Sequence, residues 1–303
     1  MKFSYFCKVH YEEVMKEKNF DLHIIIDAGA TKTEFAVMEG KELVHQFFAA
    51  GINANYSTDE QIDKVFVHFM QSLPKEYSQP ARITYYGAGC AGEQNAMRIA
   101  AVIAKYFTSA SFKIYSDLME ACHALCGKQP GLVAILGTGS SSCLYDGEKI
   151  VKRAPSLGYL IGDEGSGTHL GKKLVSAYMM EKLPMYLLDE IEKTFDINPP
   201  KVIQRIYRKA SPNKFFASFS PFVQKYIDDP VIKALCKDAF AEFFDSQIGY
   251  YDKSTYDTVS LMGSVAFHFK EVIAEVAEEK QVSLGTIIGS PMPKLIEYHT
   301  QYV

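Results

Sequence analysis

The sequence has little of what several protein classes require. Its 303 residues include only six cysteines, which are too sparse for a disulfide scaffold and suit a reducing compartment. Lysine and arginine total 32 against 36 aspartates and glutamates, a formal net charge of −4 without long blocks of one sign. Nucleic-acid binders usually carry a basic patch, so the composition argues against that class and favours a small-molecule partner.

Long apolar runs are also missing. No stretch approaches the about 18 to 20 apolar residues of a membrane helix, and residues 1–20 lack the apolar core of a secretory signal. We therefore expect a cytoplasmic protein with no membrane partner. The P-loop motif GxxxxGK[ST] does not occur either, so a bound nucleotide would be held by a different arrangement.

The length and a hydrophobic content of 48% predict two domains or one large α/β unit. Two apolar strands, at 22–27 and 132–136, each end at a loop of small residues and lead into a hairpin, which is a weak internal repeat. The pattern after the second hairpin is mainly helical from 165 to 250. Ser57 and Glu60 predict a capping box at the start of an earlier helix.

Four strand ends carry glycine-rich loops: DAGATKT at 27–33, GAGCAG at 87–92, GTGSSS at 137–142 and MGSV at 262–265. Glycine lets backbone amides approach an anion, and hydroxyl groups add donors, so such loops can hold phosphates without bulk positive charge. The loop at 87–92 alone fits GxGxxG. A dinucleotide-binding Rossmann interpretation therefore stays open, with Asp117 as the ribose ligand.

Three aspartates stand at strand or loop ends, and each has two interpretations. Asp27 ends an apolar strand, so its charge needs Mg2+ through water or a lysine such as Lys32, unless it only forms an Asx turn. Asp117, with Glu120 three residues later, is either a helix cap or a group facing a ligand. Asp163 in GDEGSG at 162–167 is likewise a helix cap or a ligand residue.

The motifs together resemble the actin/hexokinase/Hsp70 superfamily. Residues 27–33 are similar to its first phosphate loop, 137–140 to its second, and LMGSVA at 261–266 to its adenosine loop. GYLIGDEGS at 158–166 resembles the signature of N-acetylglucosamine kinase-like proteins in the BadF/BadG/BcrA/BcrD ATPase family. The resemblance extends over roughly residues 22–300.

This resemblance implies an α/β protein of two RNase H-like, actin-like ATPase domains with an interdomain cleft. The domains would span 21–117 and 118–303, the second enlarged by helices, with residues 1–20 as an extension and the last helix available to pack on the first domain. The implied activity is an ATP-dependent N-acetylglucosamine kinase. It would transfer the γ-phosphate of MgATP to a hydroxyl, expected to be the 6-hydroxyl, of that sugar or a related amino sugar.

The resemblance also implies roles for individual residues. Asp117 would be the general base, and Asp27 would hold Mg2+ through water. The residues implied to bind ATP and its phosphates are Asp27, Gly29, Thr31, Lys32, Thr33, Gly137, Thr138, Gly139, Ser140, Gly263 and Ser264. Those implied to bind the sugar are Asn53, Asp117, Ser141 and Asp163.

The sequence departs from the family pattern at several positions. Ala28 and Ala30 replace common glycines, and Ser141 stands where these sugar kinases often have asparagine, which leaves the identity of the sugar open. An ATPase that activates a dehydratase or reductase is the alternative, although the cysteine motifs for its iron–sulfur cluster are not evident beyond Cys90 in its loop. A sugar sensor without activity is another. The aromatic segment 215–244 either forms a homodimer surface or packs on the second domain.

Overall fold

A computed structural model describes residues 22–208 and 211–302, so the extension expected at 1–20 lies outside the described residues. The described chain divides into two compact units. The first contains the residues up to Glu120 and those from Met292 onward, and the second is Ala121–Pro291.

The first unit is built on a five-stranded sheet of order β3-β2-β1-β4-β5. Its strands are β1 (Leu22–Ala28), β2 (Lys32–Glu39), β3 (Glu42–Ala50), β4 (Arg82–Gly87) and β5 (Ser111–Ser116). The first three form an antiparallel meander, while β4 and β5 run parallel to β1 and to each other. The meander confirms the hairpin predicted after the first apolar strand.

The register of the parallel strands determines which residues share an edge. Ala28 pairs with Gly87, and Gly87 pairs with Ser116, so β1, β4 and β5 end side by side. Ligands of open α/β sheets bind outside the carboxyl ends of such strands. The register therefore places Asp27 and Asp117 at one edge of the sheet.

Helices cover both faces of this sheet: α1 (Asp59–Ser72), α2 (Glu93–Tyr106), the start of α3 (Asp117–Cys126) and α13 (Met292–Tyr302). The core beneath α1 and α2 is aromatic, with Phe35 stacked on Phe69 at 4.1 Å between ring centroids. The hydroxyl of Tyr86 lies 3.0 Å from Nε2 of His299, which joins α13 to β4. A short 3-10 turn covers Lys75–Tyr77.

The capping box of α1 lies one residue later than predicted. Thr58 and Gln61 form it, because each side chain accepts a hydrogen bond from the other's backbone N–H. The Ser57 hydroxyl is already used, since it accepts from the backbone N–H of Asn53 at 3.1 Å. The predicted box of Ser57 and Glu60 is therefore wrong.

The second unit repeats the connectivity of the first. Its sheet order is β10-β9-β6-β7-β8, with strands β6 (Gly131–Leu136), β7 (Ser140–Tyr145), β8 (Ile150–Arg153), β9 (Val259–Met262) and β10 (Leu284–Ile288). Again three strands form an antiparallel meander, and two more continue parallel to the first of them. The weak internal repeat seen in the sequence is thus confirmed as a repeat of topology.

Helices enlarge the second unit, as predicted. They are α4 (Gly158–Ile161), α5 (Gly167–Met179), α6 (Met185–Phe195), α7 (Pro199–Arg208), α8 (Pro212–Ala217), α9 (Ser220–Lys225), α10 (Pro230–Phe243), α11 (Ser264–His268) and α12 (Lys270–Glu279), with a π turn at Phe244–Ile248 and a 3-10 turn at Lys253–Thr255. The stretch from Val265 to Val276 forms two helices, because Phe269 leaves helical dihedrals (φ −112°, ψ 18°) and buries its ring. None of the described helices is both long and apolar enough to span a bilayer.

Candidate active site

The first phosphate-loop candidate connects β1 to β2, and the end of β3 packs against it. The backbone N–H of Gly51 donates to the carbonyl of Thr31 at 3.2 Å. A Cβ at residue 51 would lie 2.5 Å from the backbone of Ala30 and Thr31, so only glycine fits there. Sequence reasoning did not single out Gly51 as a site residue, although a glycine directly after a strand and before Asn53 was a usable signal.

Two side chains predicted to bind phosphate have partners within the sheet. Lys32 is half-exposed, and its Nζ lies 2.9 Å from Oε2 of Glu34. The buried hydroxyl of Thr33 donates to the carbonyl of Ala50 at 2.9 Å. Thr33 therefore connects β2 to β3, and Lys32 pairs directly with Glu34 and not with Asp27.

Asp27 lies at the end of β1 beside three other acids. The carboxyl of Glu120 hydrogen-bonds Asp27, and Asp117 and Glu34 add their negative charge. Burial, followed by the charge of Glu34, raises the pKa of Asp27 to about 7, while Lys32 acts in the opposite direction. Burial, followed by the charges of Asp27 and Asp117, also raises the pKa of Glu120 well above its usual range. Two carboxyl groups in contact need a shared proton or a cation.

Two buried polar atoms at this edge have no partner within the described residues. They are Oε1 of Glu120 and the hydroxyl oxygen of Tyr85 on β4. Burial raises the pKa of Tyr85, and the negative charges of Cys90, Asp27 and Glu120 raise it further. Because buried polar groups are nearly always hydrogen-bonded, the two atoms mark a position where a polar ligand or ion belongs.

Ser116, the residue before Asp117, caps α3, which was one of the two roles predicted for Asp117. The hydroxyl of Ser116 accepts from the backbone N–H of Met119 at 3.3 Å, whereas Asp117 accepts from the adjacent Leu118 at 2.9 Å. Asp117 is partly exposed at the start of α3. Its carboxylate is therefore placed at the ligand-binding edge of the sheet.

The loop at 87–92 folds against the segment that contains Asn53. Asn53 bridges to Ala88, and a Cβ on Gly89, whose φ is +83°, would lie 2.9 Å from Oδ1 of Asn53. The same Oδ1 accepts from the backbone N–H of Asn55 at 3.0 Å. The Rossmann interpretation is wrong, because the parallel dinucleotide-binding sheet has no counterpart of the antiparallel meander seen here.

In the second unit, the loop Gly137–Ser140 is held by the start of α5. Gly167 donates its backbone N–H to the carbonyl of Gly137 at 2.8 Å, and Thr168 donates both its N–H and its hydroxyl to the carbonyl of Thr138. The turn is closed by Gly137 N–H donating to the carbonyl of Gly139 at 3.0 Å. The helix that follows the GDEGSG segment therefore fixes the loop predicted to hold phosphates.

Asp163 lies against the same loop. Its backbone is left-handed (φ 62°), and its Oδ1 accepts from the backbone N–H of Ser140 at 3.2 Å. Burial raises the pKa of Asp163 above its usual value. The Ser140 hydroxyl oxygen is buried and has no partner among the described residues. A residue predicted for the sugar and a residue predicted for phosphate are thus in direct contact.

The glycines of the second unit fall into two kinds. A Cβ on Gly263 (φ 121°) would lie 2.3 Å from the carbonyl oxygen of Leu136, so this glycine allows the adenosine-loop candidate to pack on the end of β6. A Cβ on Gly137 would meet no atom of the described residues within 4 Å. Packing therefore explains glycine at 263 and does not explain it at 137. Ser264 is exposed, and Ser141 is partly exposed on β7.

His169 supports the GDEGSG segment. Its Nδ1 accepts from the backbone N–H of Gly165 at 3.0 Å, and its Nε2 lies 3.3 Å from a carboxylate oxygen of Glu242. Burial lowers its pKa. With both ring nitrogens engaged, His169 has a structural role.

The chemistry of the donors at the first sheet edge fits a magnesium ion. Among the described residues no group of three or more His, Cys, Asp or Glu side chains has the geometry of an ion-binding cluster. Mg2+ commonly binds through one or two carboxylates and keeps several waters while it contacts substrate phosphates. Asp27, which lies beside a buried carboxyl oxygen without a donor, suits that mode. Burial raises the pKa of the Cys90 thiol to about 12, so the uncoordinated thiol is protonated at neutral pH.

Comparisons with known proteins cover most of the chain. No protein-family model matches. An N-acetylmuramic acid/N-acetylglucosamine kinase from Clostridium acetobutylicum is 27% identical over 235 residues, which are 72% of this chain and 76% of that protein. A candidate N-acetylglucosamine kinase from Porphyromonas gingivalis is 31% identical, with a TM-score of 0.88, over 92% of this chain and 99% of that one.

A more distant structure shares the fold alone. The ROK hexokinase from Thermus thermophilus is 13% identical, with a TM-score of 0.54, over 92% of this chain and 98% of that one. The fold expected from the loops, two actin-like α/β domains, is therefore confirmed.

Proposed function

The chain belongs to the N-acetylglucosamine kinase-like proteins of the BadF/BadG/BcrA/BcrD ATPase family, and we propose that this sugar kinase transfers the γ-phosphate of MgATP to the 6-hydroxyl of N-acetylglucosamine or a related amino sugar. The hydrogen bond between Asp163 and the backbone of Ser140 carries the proposal. A kinase must hold its acceptor beside the transferred phosphoryl group. This contact joins the segment assigned to the sugar with the loop assigned to the phosphates.

Asp117 is the general base in this proposal. Its carboxylate accepts the proton of the sugar hydroxyl while the hydroxyl oxygen forms a bond to the γ-phosphorus. The bond from that phosphorus to the β,γ-bridging oxygen breaks, and its electron pair leaves with ADP. Asp117 is suited to this role because it is partly exposed at the edge of the sheet where β1, β4 and β5 end.

The glycine-rich loops position the phosphates. In the first unit we assign this role to Gly29, Thr31 and Lys32. In the second unit we assign it to the loop from Gly137 to Ser140, with Gly263 and Ser264 at the adenosine. The buried Ser140 hydroxyl, which lacks a partner among the described residues, supports the assignment. Loop amides and hydroxyls stabilise charge that develops on the transferred group, which is the main contribution a protein makes to phosphoryl transfer.

Asp27 would hold the magnesium ion through water. When bound, Mg2+ would neutralise charge on the phosphoryl oxygens of ATP. The raised pKa of Asp27 supports the assignment, because a carboxylate that is costly to ionise alone gains most from a cation.

Sugar recognition is assigned to Asn53, Asp117, Ser141 and Asp163. Carboxylates can accept hydrogen bonds from two adjacent hydroxyls of a sugar, which suits Asp117 and Asp163. The carboxylate of Asp163 already accepts from Ser140 and retains further acceptor positions.

A substrate panel tests the proposal. The full-length protein would be incubated with MgATP and N-acetylglucosamine, N-acetylmuramic acid, N-acetylgalactosamine, glucosamine or glucose, with ADP release measured and the product weighed by mass spectrometry. We expect ADP release to depend on an N-acetylated amino sugar and the product to gain one phosphoryl group. The 6-deoxy analogue should be inactive, whereas the 1-O-methyl glycoside should remain a substrate. The proposal would be contradicted if no sugar in the panel made ADP release faster than it is without sugar.

A further inference from the structure

The edge of the first sheet contains a buried acid that the proposed reaction leaves without a role. Glu120 lies one helical turn after Asp117 on α3 and is 3% exposed. Sequence reasoning treated it only as a companion of a helix cap. Its Oε1 accepts no hydrogen bond from the described residues, and its carboxyl group contacts that of Asp27.

A second atom points to the same position from another element. Tyr85 lies on β4, between β1, which carries Asp27, and β5, which leads into Asp117, and its side chain is fully buried. Its hydroxyl has no partner among the described residues and is close enough to Asp27 and Glu120 to feel both charges. A hydroxyl both donates and accepts, so it can bond a water molecule beside the two carboxyls.

Among the described residues, the charges around this position are mostly negative. Asp27, Glu34, Asp117 and Glu120 act on one another, and Lys32 is the cation that opposes them at Asp27. Lys32 already pairs with Glu34 at 2.9 Å. Among the described residues Lys32 is therefore already engaged, and the buried carboxyl of Glu120 needs a donor, a shared proton or a bound cation.

We propose that Glu120 is a second carboxylate of the divalent-cation site and shares the water shell of the ion with Asp27, with the Tyr85 hydroxyl bonded to that shell. The inference rests on the proposed function, because the ion is the one that accompanies ATP. Two carboxylates, waters and phosphate oxygens make up the ligand set that Mg2+ favours. Glu120 thereby becomes a positioning residue for the ion and not a group that reacts with the sugar.

The test measures Mn2+ binding by electron paramagnetic resonance on the full chain with ADP present. Glu120→Gln keeps the shape of the side chain and can still donate to Asp27, but it removes the carboxylate. We expect its Mn2+ affinity to fall at least about tenfold. Glu34→Gln is the matched control, because it removes a buried charge whose two oxygens already bond Lys32 and Gln46. Its affinity should change less than about threefold.

Fold controls and a replacement variant ensure that the experiment has a decisive result. Circular dichroism and ADP binding in EDTA establish that each variant is folded. Should Glu120→Gln not fold, Tyr85→Phe replaces it, with an expected two- to fivefold loss of Mn2+ affinity and no change in ADP binding without metal. If Glu120→Gln binds Mn2+ as tightly as the wild type does, the inference is overturned. The same holds for Tyr85→Phe when that variant is used instead. Neither result contradicts the proposed kinase activity. Sugar phosphorylation that fails in the wild type, with Mn2+ binding intact, overturns the proposed function alone. A wild type that binds no Mn2+ overturns the cation site and the inference with it.

Discussion

Oδ1 of Asp163 accepts a hydrogen bond of 3.2 Å from the backbone N–H of Ser140, and this contact fixes a left-handed residue of one loop to the phosphate-loop candidate beside it. The contact has two consequences. It orients the carboxylate, and it occupies an amide of a loop that would otherwise be available to an anion. The proposed sugar and phosphate contacts of the second unit are therefore coupled.

Asp163→Asn should separate the charge of this residue from its structural role. Asparagine tolerates the left-handed conformation and can still accept from Ser140, so we expect the melting temperature to stay within about 2 °C. The kcat/KM for the sugar should fall at least about tenfold, because an amide offers fewer acceptor positions to sugar hydroxyls. Steady-state kinetics with the sugar and with ATP varied separately measure both effects.

Asp163→Gly is the companion variant. It keeps the left-handed backbone and deletes the acceptor for Ser140, so a loss of about 1 kcal/mol in unfolding free energy should accompany the loss of activity. Equal kinetics for wild type and Asp163→Asn would remove Asp163 from the sugar site.

Gly137→Ala should affect nucleotide binding and leave the fold unchanged. The added Cβ meets no atom within 4 Å in the part of the chain that the structure describes, so the melting temperature should not change. If the loop amides approach the phosphates closely, the same methyl group intrudes on them, and the KM for ATP should rise several-fold. An unchanged KM for ATP would mean that no phosphate approaches the backbone at this glycine.

Gly263→Ala should have the opposite effect. Its Cβ would lie 2.3 Å from the carbonyl oxygen of Leu136 at a φ of +121°, so we expect a loss of at least about 2 kcal/mol in unfolding free energy. Gly92→Ala is the control, because the φ of Gly92 is −98° and an added Cβ would lie more than 4 Å from every other described residue that could obstruct it. Thermal unfolding of the two variants under one condition compares them, and equal stability would contradict the packing described at the end of β6.

Asp27→Asn should stabilise the metal-free protein at high pH. The folded-state pKa of about 7 lies above the ordinary value of 3.8, so the folded state binds the extra proton between these values. Stability therefore falls as pH rises from about 4 to about 7 and stays reduced above that range. The variant lacks this penalty, so its advantage should be small at pH 4 and on the order of 4 kcal/mol at pH 8.

Urea unfolding in EDTA at both pH values measures the difference. Sugar phosphorylation should change in the opposite direction to stability. Asp27→Asn should lose most of this activity if Asp27 holds Mg2+. A wild type more stable than Asp27→Asn at pH 8 without metal would contradict the account of this carboxyl.

The sequence was most informative where a local pattern determines a local structure. Apolar strands that end in glycine-rich loops predicted the hairpin in each unit, and their repetition predicted two units of the same topology. The glycines were informative because a tight turn, or a backbone that packs closely against another segment, excludes residues with a Cβ, as at Gly263. The order of the four motifs supplied the family.

What the sequence left out depends on contacts between distant residues. The pairing of Glu120 with Asp27 joins α3 to β1 across β4, and nothing local to residue 120 distinguishes a buried acid from an exposed cap. The capping box of α1 was displaced by one residue because Asn53 uses the Ser57 hydroxyl. Lys32 could not be assigned to Glu34 or to Asp27 from spacing alone, although the structure gives the pair with Glu34.

Single-turnover phosphorylation with Asp117→Asn tests the central claim most directly. The variant and the wild type would be mixed with radiolabelled MgATP and N-acetylglucosamine, and sugar phosphate would be quantified together with ATP affinity. Asp59→Asn is the control, because it changes an exposed aspartate in the first turn of α1. The account predicts at least a hundredfold slower transfer for Asp117→Asn, with ATP affinity within threefold of wild type and normal transfer by Asp59→Asn. Transfer by Asp117→Asn at a rate close to wild type would contradict it.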